Sequence, residues 1–363
     1  MNFYSDILKS LGSNNNLRTL PEDTANTDLI DLSSNDYLGI GADDTLHREF
    51  FNSMGDIPAL SACASRLLAT HQQEFLLLEQ LLSGLYNRYV LLFNSGYHAN
   101  VGAVSALAAG NTLIVADKLV HASIIDGMTL SRARFVRFKH NDVGHLQEIL
   151  AKNAHHYDRV LIVCESVYSM DGDVAPIEEI AASKTSNSLL YVDEAHAFGV
   201  MGRSGLGLGV DIQEVDVLIG TLGKAAASVG AFVAVNDKTL RSYLINRARP
   251  FIFSTALPPI NCAWSRFVIE RIVGMDDRRN QLRTLNKWLG NLLGVQYPTH
   301  IIPFIVGSSK LAIELSKELL KNGFKVLPIR TPTVPAGTER LRFSLSANID
   351  LKQLQPLENI IHI

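Results

Sequence analysis

A series of short, continuous apolar runs recurs along the middle of the chain and constrains its fold more than any other feature. Each run has the length of a strand, and helix-like segments such as 97–109 and 120–131 lie between several of them. Strands that are apolar throughout and alternate with helices are typical of a largely parallel sheet covered on both faces. The runs that predict strands are 89–93, 112–116, 135–138, 159–164, 189–192, 217–220 and 231–235.

The pattern changes after about residue 258, and this change predicts a second, smaller α+β domain. Helical spacing continues over 260–273, 281–293 and 309–322. Short strands are predicted at 301–306, 325–328 and 340–345. The first 41 residues are polar and predict an irregular segment. We therefore expect an N-terminal segment (1–41), a large domain (42–275) and a small C-terminal domain (276–363).

Composition excludes several classes of function. The 363 residues are 47% apolar and 19% charged with a net charge of -3, so no basic field is present to bind nucleic acid. No apolar run approaches the length of a membrane span, and the N-terminus does not resemble a signal peptide, so we expect a cytoplasmic protein. The widely spaced Cys63, Cys164 and Cys262 predict neither a disulfide framework nor a metal site.

Polar residues follow several of the predicted strands directly. Asp193 follows 189–192, Thr221 and Lys224 follow 217–220, and the segments 165–169 and 94–96 follow two further strands. Open α/β sheets bind their ligands at the carboxyl ends of the strands. These polar residues are therefore expected to converge on one site.

Three of these residues suit pyridoxal-phosphate (PLP) chemistry. Lys224 lies in a nearly apolar stretch, where desolvation makes an amine nucleophilic enough to form a Schiff base with an aldehyde. Asp193 leaves a buried strand and needs a cationic partner, which a pyridinium nitrogen would supply. His196 follows on the same loop, within reach of a ring hydroxyl. The three predict a PLP site.

A place for the cofactor phosphate is also predicted. Ser95, Gly96 and Tyr97 begin a helix, whose free N–H groups favour an anion. Ser169 and Thr221 offer hydroxyl donors from neighbouring strand ends.

Seven motifs in the same order give the chain a family resemblance. It resembles the α-oxoamine synthases, which are PLP-dependent transferases of fold type I. The resemblance implies an α/β large domain with a mostly parallel central sheet and a smaller C-terminal α+β domain. The motifs lie at 33–39, 94–97, 117–123, 165–173, 192–196, 221–224 and 254–259.

The resemblance also implies individual roles. Lys224 would hold the cofactor and move the substrate α-proton, His121 would stack on the ring, and Asp193 and His196 would bind the ring nitrogen and oxygen. Ser95, Gly96, Tyr97, Ser169 and Thr221 would hold the phosphate end. Ser254 and Thr255 would reach the cofactor of the neighbouring subunit in a homodimer. Asn35, Thr333 and Arg342 would bind the substrate.

The implied reaction is the condensation of an amino acid with an acyl-CoA, with loss of CO₂ and CoA. The run 253–259 is most like that of members joining L-alanine to a pimeloyl thioester in biotin biosynthesis. Glycine C-acetyltransferase or another α-oxoamine synthase activity is the nearest alternative, and a PLP aminotransferase or lyase is a more distant one. A PLP-binding protein without catalytic activity is a third class.

The chain departs from the family pattern at three places. A glycine-rich run near the acyl-CoA entrance is replaced by Leu-Ser-Ala-Cys-Ala-Ser-Arg at 60–66, alanines stand at 225–227, and Ala197 replaces a glycine. The family's arginine for the acyl-chain carboxylate has only Lys9 and Arg18 as candidates. These departures leave the acyl substrate open. The charged residues over 271–283 are expected to form a solvated face.

Overall fold

The computed structural model describes residues 2–20, 29–70 and 72–361, and the chain divides into two compact units. The larger unit comprises Asp36–Ser169 and Asp173–Arg279. The smaller unit comprises Met1–Asn35, Met170–Gly172 and Asn280–Ile363. The predicted boundaries at 41 and 275 lie near these limits, but the N-terminal residues share a unit with the C-terminal ones.

The strands of the described chain are short. In chain order they are β1 (Ile30–Asp31), β2 (Tyr89–Phe93), β3 (Thr112–Asp117), β4 (Arg134–Phe138), β5 (Arg159–Glu165), β6 (Ser188–Asp193), β7 (Val217–Thr221), β8 (Ala231–Val235), β9 (Ile301–Ile305), β10 (Phe324–Lys325), β11 (Leu327–Ile329) and β12 (Arg340–Ser344).

Helices separate most of these strands. In chain order they are α1 (Asn2–Ser13), α2 (Asp44–Ser53), α3 (Gln73–Tyr86), α4 (Gly96–Leu107), α5 (Ala122–Ser131), α6 (Val143–Asn153), α7 (Ile177–Ala182), α8 (Lys238–Arg247), α9 (Arg249–Phe253), α10 (Pro259–Ile272), α11 (Asp276–Leu292), α12 (Ser309–Lys321) and α13 (Leu351–Leu354).

The larger unit is built on a seven-stranded sheet with the order β2-β8-β7-β6-β5-β3-β4. Neighbouring strands from β7 to β4 are parallel, and β8 runs antiparallel to both of its neighbours. The predicted α/β class with a mostly parallel sheet is confirmed. β3, β6, β7 and β8 are buried or nearly buried throughout, as continuous apolar strands under helices on both faces must be.

One face of this sheet forms the main core with α4, α5, α8 and α9. Glycine allows the close approach of two of these helices. A Cβ at Gly127 of α5 would lie 3.0 Å from a Val104 side-chain carbon and 3.1 Å from the Asn100 carbonyl oxygen, both on α4. This approach positions the first turns of α4 and α5 over the carboxyl ends of the strands.

The smaller unit has an α+β arrangement, as predicted. Its sheet has the antiparallel order β11-β12-β9, and β1 pairs with β10 in a separate parallel pair. The predicted strand over 325–328 is interrupted, because β10 ends at Lys325 and β11 begins at Leu327 and joins the other sheet. Gly172 belongs to this unit and packs so closely on Ile301 that a Cβ would lie 2.1 Å from the Ile301 carbonyl oxygen.

Two expectations were wrong. The N-terminal segment is not irregular throughout, since Asn2–Ser13 is a helix with Phe3, Ile7 and Leu11 at helical spacing. The charged run before residue 280 is not simply solvated. Arg279 is 2% exposed and donates to the carbonyls of Ile272 and Val273, while Arg278 donates to Leu38 and pairs with Asp43. Helix carbonyls left without partners at the end of α10 explain why this arginine is buried.

Within residues 2–20, 29–70 and 72–361, no helix is both long enough and apolar enough to cross a membrane.

Candidate active site

The polar residues predicted to converge do so at the carboxyl edge of the seven-stranded sheet. Glu165 and Asp193 are register partners at the ends of the adjacent parallel strands β5 and β6. The next strand, β7, ends at Thr221, and Lys224 follows three residues later. Because these strands are parallel neighbours, their carboxyl ends present side chains to one common site.

A chain of three side chains connects this edge to residues before α2. The Lys224 Nζ atom lies 2.7 Å from His196 Nε2, and the Tyr37 hydroxyl lies 2.6 Å from His196 Nδ1. Tyr37 is fully buried and His196 nearly so, whereas Lys224 is half-buried. The Tyr37 hydroxyl can donate to Nδ1 or accept from it, and the tautomer of the ring decides whether Nε2 accepts from the lysine amine or donates to it. The site therefore holds an amine beside a group that can exchange a proton with it.

The Asp193 carboxylate is buried and has a fixed orientation. Its Oδ1 accepts the Ala195 N–H at 2.8 Å, and its Oδ2 accepts an N–H of the Asn100 side chain at 2.7 Å. A buried carboxylate needs such hydrogen-bond donors. Each of its two oxygens still has a lone pair that can interact with a cation. Asp193 is thus prepared for a cationic partner such as a protonated ring nitrogen.

His121 comes directly before α5 and caps its first turn. Its Nδ1 accepts the Ser123 N–H at 3.2 Å, and its own backbone N–H donates to the Glu165 carboxyl group. Although part of His121 is exposed, desolvation of the ring and the charge of Lys224 lower its pKa, against the opposing charge of Asp193. A neutral imidazole with an exposed face is suited to stacking on an aromatic ring.

Glu165 lies beneath this loop and faces Asp193. Complete burial and the charge of Asp193 raise the pKa of Glu165 well above its usual range, although Lys224 and the His121 N–H oppose the shift. Two carboxyl groups this close in a buried site do not both ionise readily. Burial therefore favours the protonated form of the Glu165 carboxyl group.

The predicted phosphate site combines the start of α4 with the end of β7. Ser95 caps α4 by accepting the His98 N–H at 3.1 Å. A Cβ on Gly96 would lie 3.6 Å from Thr221 Oγ1, so the absence of a side chain keeps open the space between the helix and this hydroxyl. Free N–H groups at a helix start and a nearby hydroxyl fit a phosphate.

The remaining two members of the predicted phosphate set are placed differently. Tyr97 is 48% exposed, and its hydroxyl donates to Asp126 on α5. This hydrogen bond raises the pKa of Tyr97. Ser169 is half-buried in the loop that follows β5.

Ser254 and Thr255 lie in the loop between α9 and α10. Thr255 is exposed, and its carbonyl oxygen accepts a hydrogen bond from the side chain of Asn94. Thr255 also forms a backbone bridge with Ser65. The pair is thus at the surface of the larger unit, next to the residues that precede α4.

The altered loop at 60–66 is held against this same segment. Ala64 accepts the Ala256 N–H at 2.9 Å, and Arg66 donates to Glu79 at 3.3 Å while lying 4.6 Å from the centre of the Phe75 ring. Cys63 is exposed and has a positive φ of 53°. Arg66 therefore anchors the loop, in which Ser61 and Cys63 are exposed and Ala62 is buried.

The predicted substrate residues belong to the smaller unit. Arg342 on β12 is 4% exposed, and one of its guanidinium nitrogens lies 3.4 Å from Asn35 Oδ1. The structure brings these two together, although they are 307 positions apart in the chain. Thr333 is exposed in the loop before β12. Lys9 and Arg18, nearer the N-terminus, are exposed as well.

Sequence reasoning missed four residues that contact the predicted site. Tyr37 lay inside a recognised motif without an assigned role, and Asn100, Ser123 and Tyr191 were read as parts of helices and a strand. Their signal was weak but present. A tyrosine and an asparagine inside otherwise apolar elements must find hydrogen-bond partners.

These observations fit PLP. A half-buried amine at the end of β7, a buried carboxylate with lone pairs free for a cation, and an open anion site at the start of α4 share one sheet edge. Each matches a different part of the cofactor: the aldehyde carbon, the ring nitrogen and the phosphate.

Comparisons with known proteins agree with this assignment. The family model for aminotransferase class I and II matches residues 27–361. A curated protein of Pasteurella multocida with the provisional name 8-amino-7-oxononanoate synthase is 43% identical over 97% of this chain and 96% of its own.

Two solved structures extend the likeness to the fold. An 8-amino-7-oxononanoate synthase from Francisella tularensis has 28% identity and a TM-score of 0.76, covering 92% of this chain and 97% of that one. A serine palmitoyltransferase from S. paucimobilis with bound PLP-myriocin aldimine has 26% identity and a TM-score of 0.88, covering 98% and 95%. The chain therefore belongs to the aminotransferase class I and II family, and within it to the PLP-dependent C-acyltransferases known as α-oxoamine synthases.

Proposed function

We propose that the protein condenses L-alanine with pimeloyl-CoA to an α-oxoamine, releasing CO₂ and CoA, as in biotin biosynthesis. The contact that carries the catalytic part is the 2.7 Å approach of Lys224 Nζ to His196 Nε2 beside the buried Asp193 carboxylate. The names of the curated relatives support the choice of substrates.

Four side chains would act on the cofactor and the amino acid. PLP, when bound, supplies an electron-withdrawing ring that stabilises negative charge at the amino-acid α-carbon. Asp193 would pair with the ring nitrogen, His196 with the ring oxygen, and His121 would stack on the ring. Lys224 Nζ would hold the cofactor and then take the α-proton, with His196 Nε2 2.7 Å away to orient the amine.

The remaining predicted residues would bind rather than react. Ser95, Gly96 and Thr221 surround the open space at the start of α4 and would hold the phosphate, with Ser169 contributing a hydroxyl and Tyr97 belonging to the first turn of the helix. Arg342 would bind the amino-acid carboxylate through its planar guanidinium group, with Asn35 beside it. Thr333 would line the substrate site.

We also propose that the protein acts as a homodimer in the cytoplasm. Thr255 is exposed in the structure and its backbone is anchored by Asn94, so Ser254 and Thr255 could reach the phosphate of a neighbouring subunit. Mixing subunits that carry Lys224→Ala with subunits that carry Thr255→Ala tests this arrangement. A shared site predicts activity in the mixture above that of either variant alone.

A thiol-release assay tests the substrate assignment. Holoenzyme is incubated with L-alanine, glycine or L-serine and with acetyl-, pimeloyl- or palmitoyl-CoA, and free CoA is measured. L-alanine with pimeloyl-CoA is expected to react fastest. Preference for glycine with acetyl-CoA would instead support glycine C-acetyltransferase activity, and release from no pair would reject an acyl-CoA-dependent transferase.

L-serine is included in this assay for a specific reason. Several structural neighbours are serine palmitoyltransferases, and the loop at 60–66 differs from the glycine-rich family pattern where the acyl-CoA is expected to enter. A preference for L-serine with palmitoyl-CoA would instead support serine palmitoyltransferase activity.

A further inference from the structure

One asparagine in the core of the larger unit connects two of the groups proposed to hold the cofactor ring. Asn100 on α4 is 2% exposed. Its amide nitrogen donates to Asp193 Oδ2 at 2.7 Å and to Ser123 Oγ at 2.9 Å. The Ser123 hydroxyl in turn lies 2.7 Å from His121 Nδ1. A single NH₂ group therefore reaches the carboxylate directly and the imidazole through one hydroxyl.

The orientation of this amide is set by Tyr191. An asparagine side chain can rotate by half a turn and exchange its oxygen and nitrogen, so one fixed partner decides which atom faces Asp193. The Tyr191 hydroxyl donates to Asn100 Oδ1 at 2.6 Å. Burial and the charge of Asp193 raise the pKa of Tyr191 well above its usual range, so the phenol stays protonated and remains a donor.

The direction of every hydrogen bond in the chain then follows. Tyr191 donates to Asn100, Asn100 donates to both Asp193 and Ser123, and the Ser123 hydroxyl is left to donate to His121 Nδ1. The backbone N–H of Ser123 also donates to that nitrogen, which agrees with Nδ1 as an acceptor. If the Asn100 amide were flipped, its oxygen would face the Asp193 carboxylate. The direction of the hydrogen bonds on either side of Asn100 would then be reversed.

We propose that Tyr191 and Asn100 are positioning residues that fix the Asp193 carboxylate and the His121 imidazole and thereby set the affinity of the site for PLP. The proposal rests on the proposed function for the cofactor, but not for the choice of amino acid or acyl group. Glu165 and Glu194 also lie near Asp193, and neither carboxyl group offers the N–H donor that Asn100 supplies to Oδ2.

Cofactor affinity is the test. PLP is removed from the purified holoenzyme, the apo-protein is titrated with PLP, and the dissociation constant is read from the absorbance of the bound cofactor. Asn100→Ala removes the charge-assisted hydrogen bond to Asp193, and Tyr191→Phe removes the donor that orients the amide making it, so each is expected to raise this constant about tenfold or more. Ser123→Ala should have a smaller effect, since it releases His121 alone.

A double-mutant cycle separates a relay from a general loss of stability. If Tyr191 acts through Asn100, adding Tyr191→Phe to Asn100→Ala should weaken PLP binding no further. Tyr86→Phe is the matched control, because Tyr86 is also buried and its hydroxyl donates to the Leu206 carbonyl at 2.7 Å, outside the chain of bonds. It should lower the unfolding temperature without weakening PLP binding.

Two results would overturn the proposal: unchanged affinity in Tyr191→Phe, or fully additive losses in the double variant. If Asn100→Ala does not fold, the comparison of Tyr191→Phe with Tyr86→Phe still decides the matter. A wild-type protein that binds PLP with this mutational pattern but releases no CoA would contradict the proposed substrates and leave the positioning roles intact.

Discussion

Two histidines lie at the carboxyl edge of the same sheet, and their surroundings differ in kind. His140, after β4, sits between two carboxylates, with Nδ1 3.0 Å from Asp117 and Nε2 2.6 Å from Asp173. Burial alone would lower its pKa, but the hydrogen bonds and charges of the two carboxylates raise it to about 10. His140 is therefore a fixed cation that connects three loops.

His196 has a phenol on one ring nitrogen and an amine on the other. Its two ring nitrogens therefore contact groups that can each donate or accept a hydrogen bond, where those of His140 contact carboxylates. The comparison teaches that the partners of a histidine, rather than its burial, decide whether it serves structure or chemistry. The following predictions test that distinction.

Removal of the Lys224 amine should have the largest effect. Lys224→Ala deletes the group proposed to hold the cofactor and to move the α-proton, so CoA release should fall by at least about a thousandfold. Lys184→Ala is a matched control, because Lys184 is also half-buried but pairs with Asp216 at 2.5 Å and does not enter the site. Comparable activity in the two variants would contradict the role of Lys224.

Replacement of His140 should cost stability rather than activity. His140→Gln keeps a polar side chain but leaves Asp117 and Asp173 without a cation, and the free energy of unfolding at pH 7 should fall by about 2 kcal/mol. Urea unfolding measures the change, with the exposed His156→Gln as control. We call His140 with Asp117 and Asp173 the clamp. A variant as stable as the wild type would show that the clamp contributes nothing to stability.

The same clamp predicts a pH dependence with a definite sign. The folded-state pKa of about 10 lies above the ordinary value of 6.5, so the protonated form stabilises the fold. That stabilisation is complete below about pH 6.5 and is lost as the pH rises through about 10. The stability difference between wild type and His140→Gln should therefore shrink over this range, and a constant difference would exclude a charged His140.

A smaller effect is expected at the other histidine. Tyr37→Phe removes the hydroxyl that fixes the His196 tautomer, and CoA release should fall about tenfold with little loss of stability. Tyr243→Phe removes a hydroxyl that donates to the Ala106 carbonyl at 3.1 Å and should leave the activity unchanged. Equal activity in both variants would assign Tyr37 a purely structural role.

The sequence was a good guide to the larger unit because its signals are local. A continuous apolar run is enough to predict a buried strand, and the predicted 89–93 and 231–235 coincide with β2 and β8. The ends of the strands then showed where Asp193 and Lys224 would meet. The antiparallel direction of β8 carried no such signal, because its residues would be equally buried in either direction.

What could not be predicted depends on contacts between distant residues. Tyr37 meets His196 across 159 positions, and Asn100 meets Asp193 across 93. No periodicity or spacing along the chain shows which buried polar groups will become partners. Arg279 was misread for the same reason, since the carbonyl groups that bury it become available only when α10 ends there.

The smallest predicted effect concerns the backbone beside the two histidines. The turn after His140 uses Asn141 at a positive φ of 54°, a conformation that asparagine tolerates, whereas the turn after Lys224 uses Ala227 at φ 44°. Ala227→Gly should therefore relieve strain and stabilise the fold by about 0.5 kcal/mol after the added chain entropy of glycine is subtracted.

The neighbouring alanine provides the control for this substitution. Ala226 is fully buried and does not have a positive φ, so Ala226→Gly should destabilise the protein by the ordinary cost of an added glycine and a lost methyl group. Opposite signs for the two variants in thermal unfolding would show that the Lys224 turn is held in a strained conformation. If both substitutions destabilised the protein, the backbone at Ala227 would be unstrained. Strain would then not distinguish the turn after Lys224 from the turn after His140.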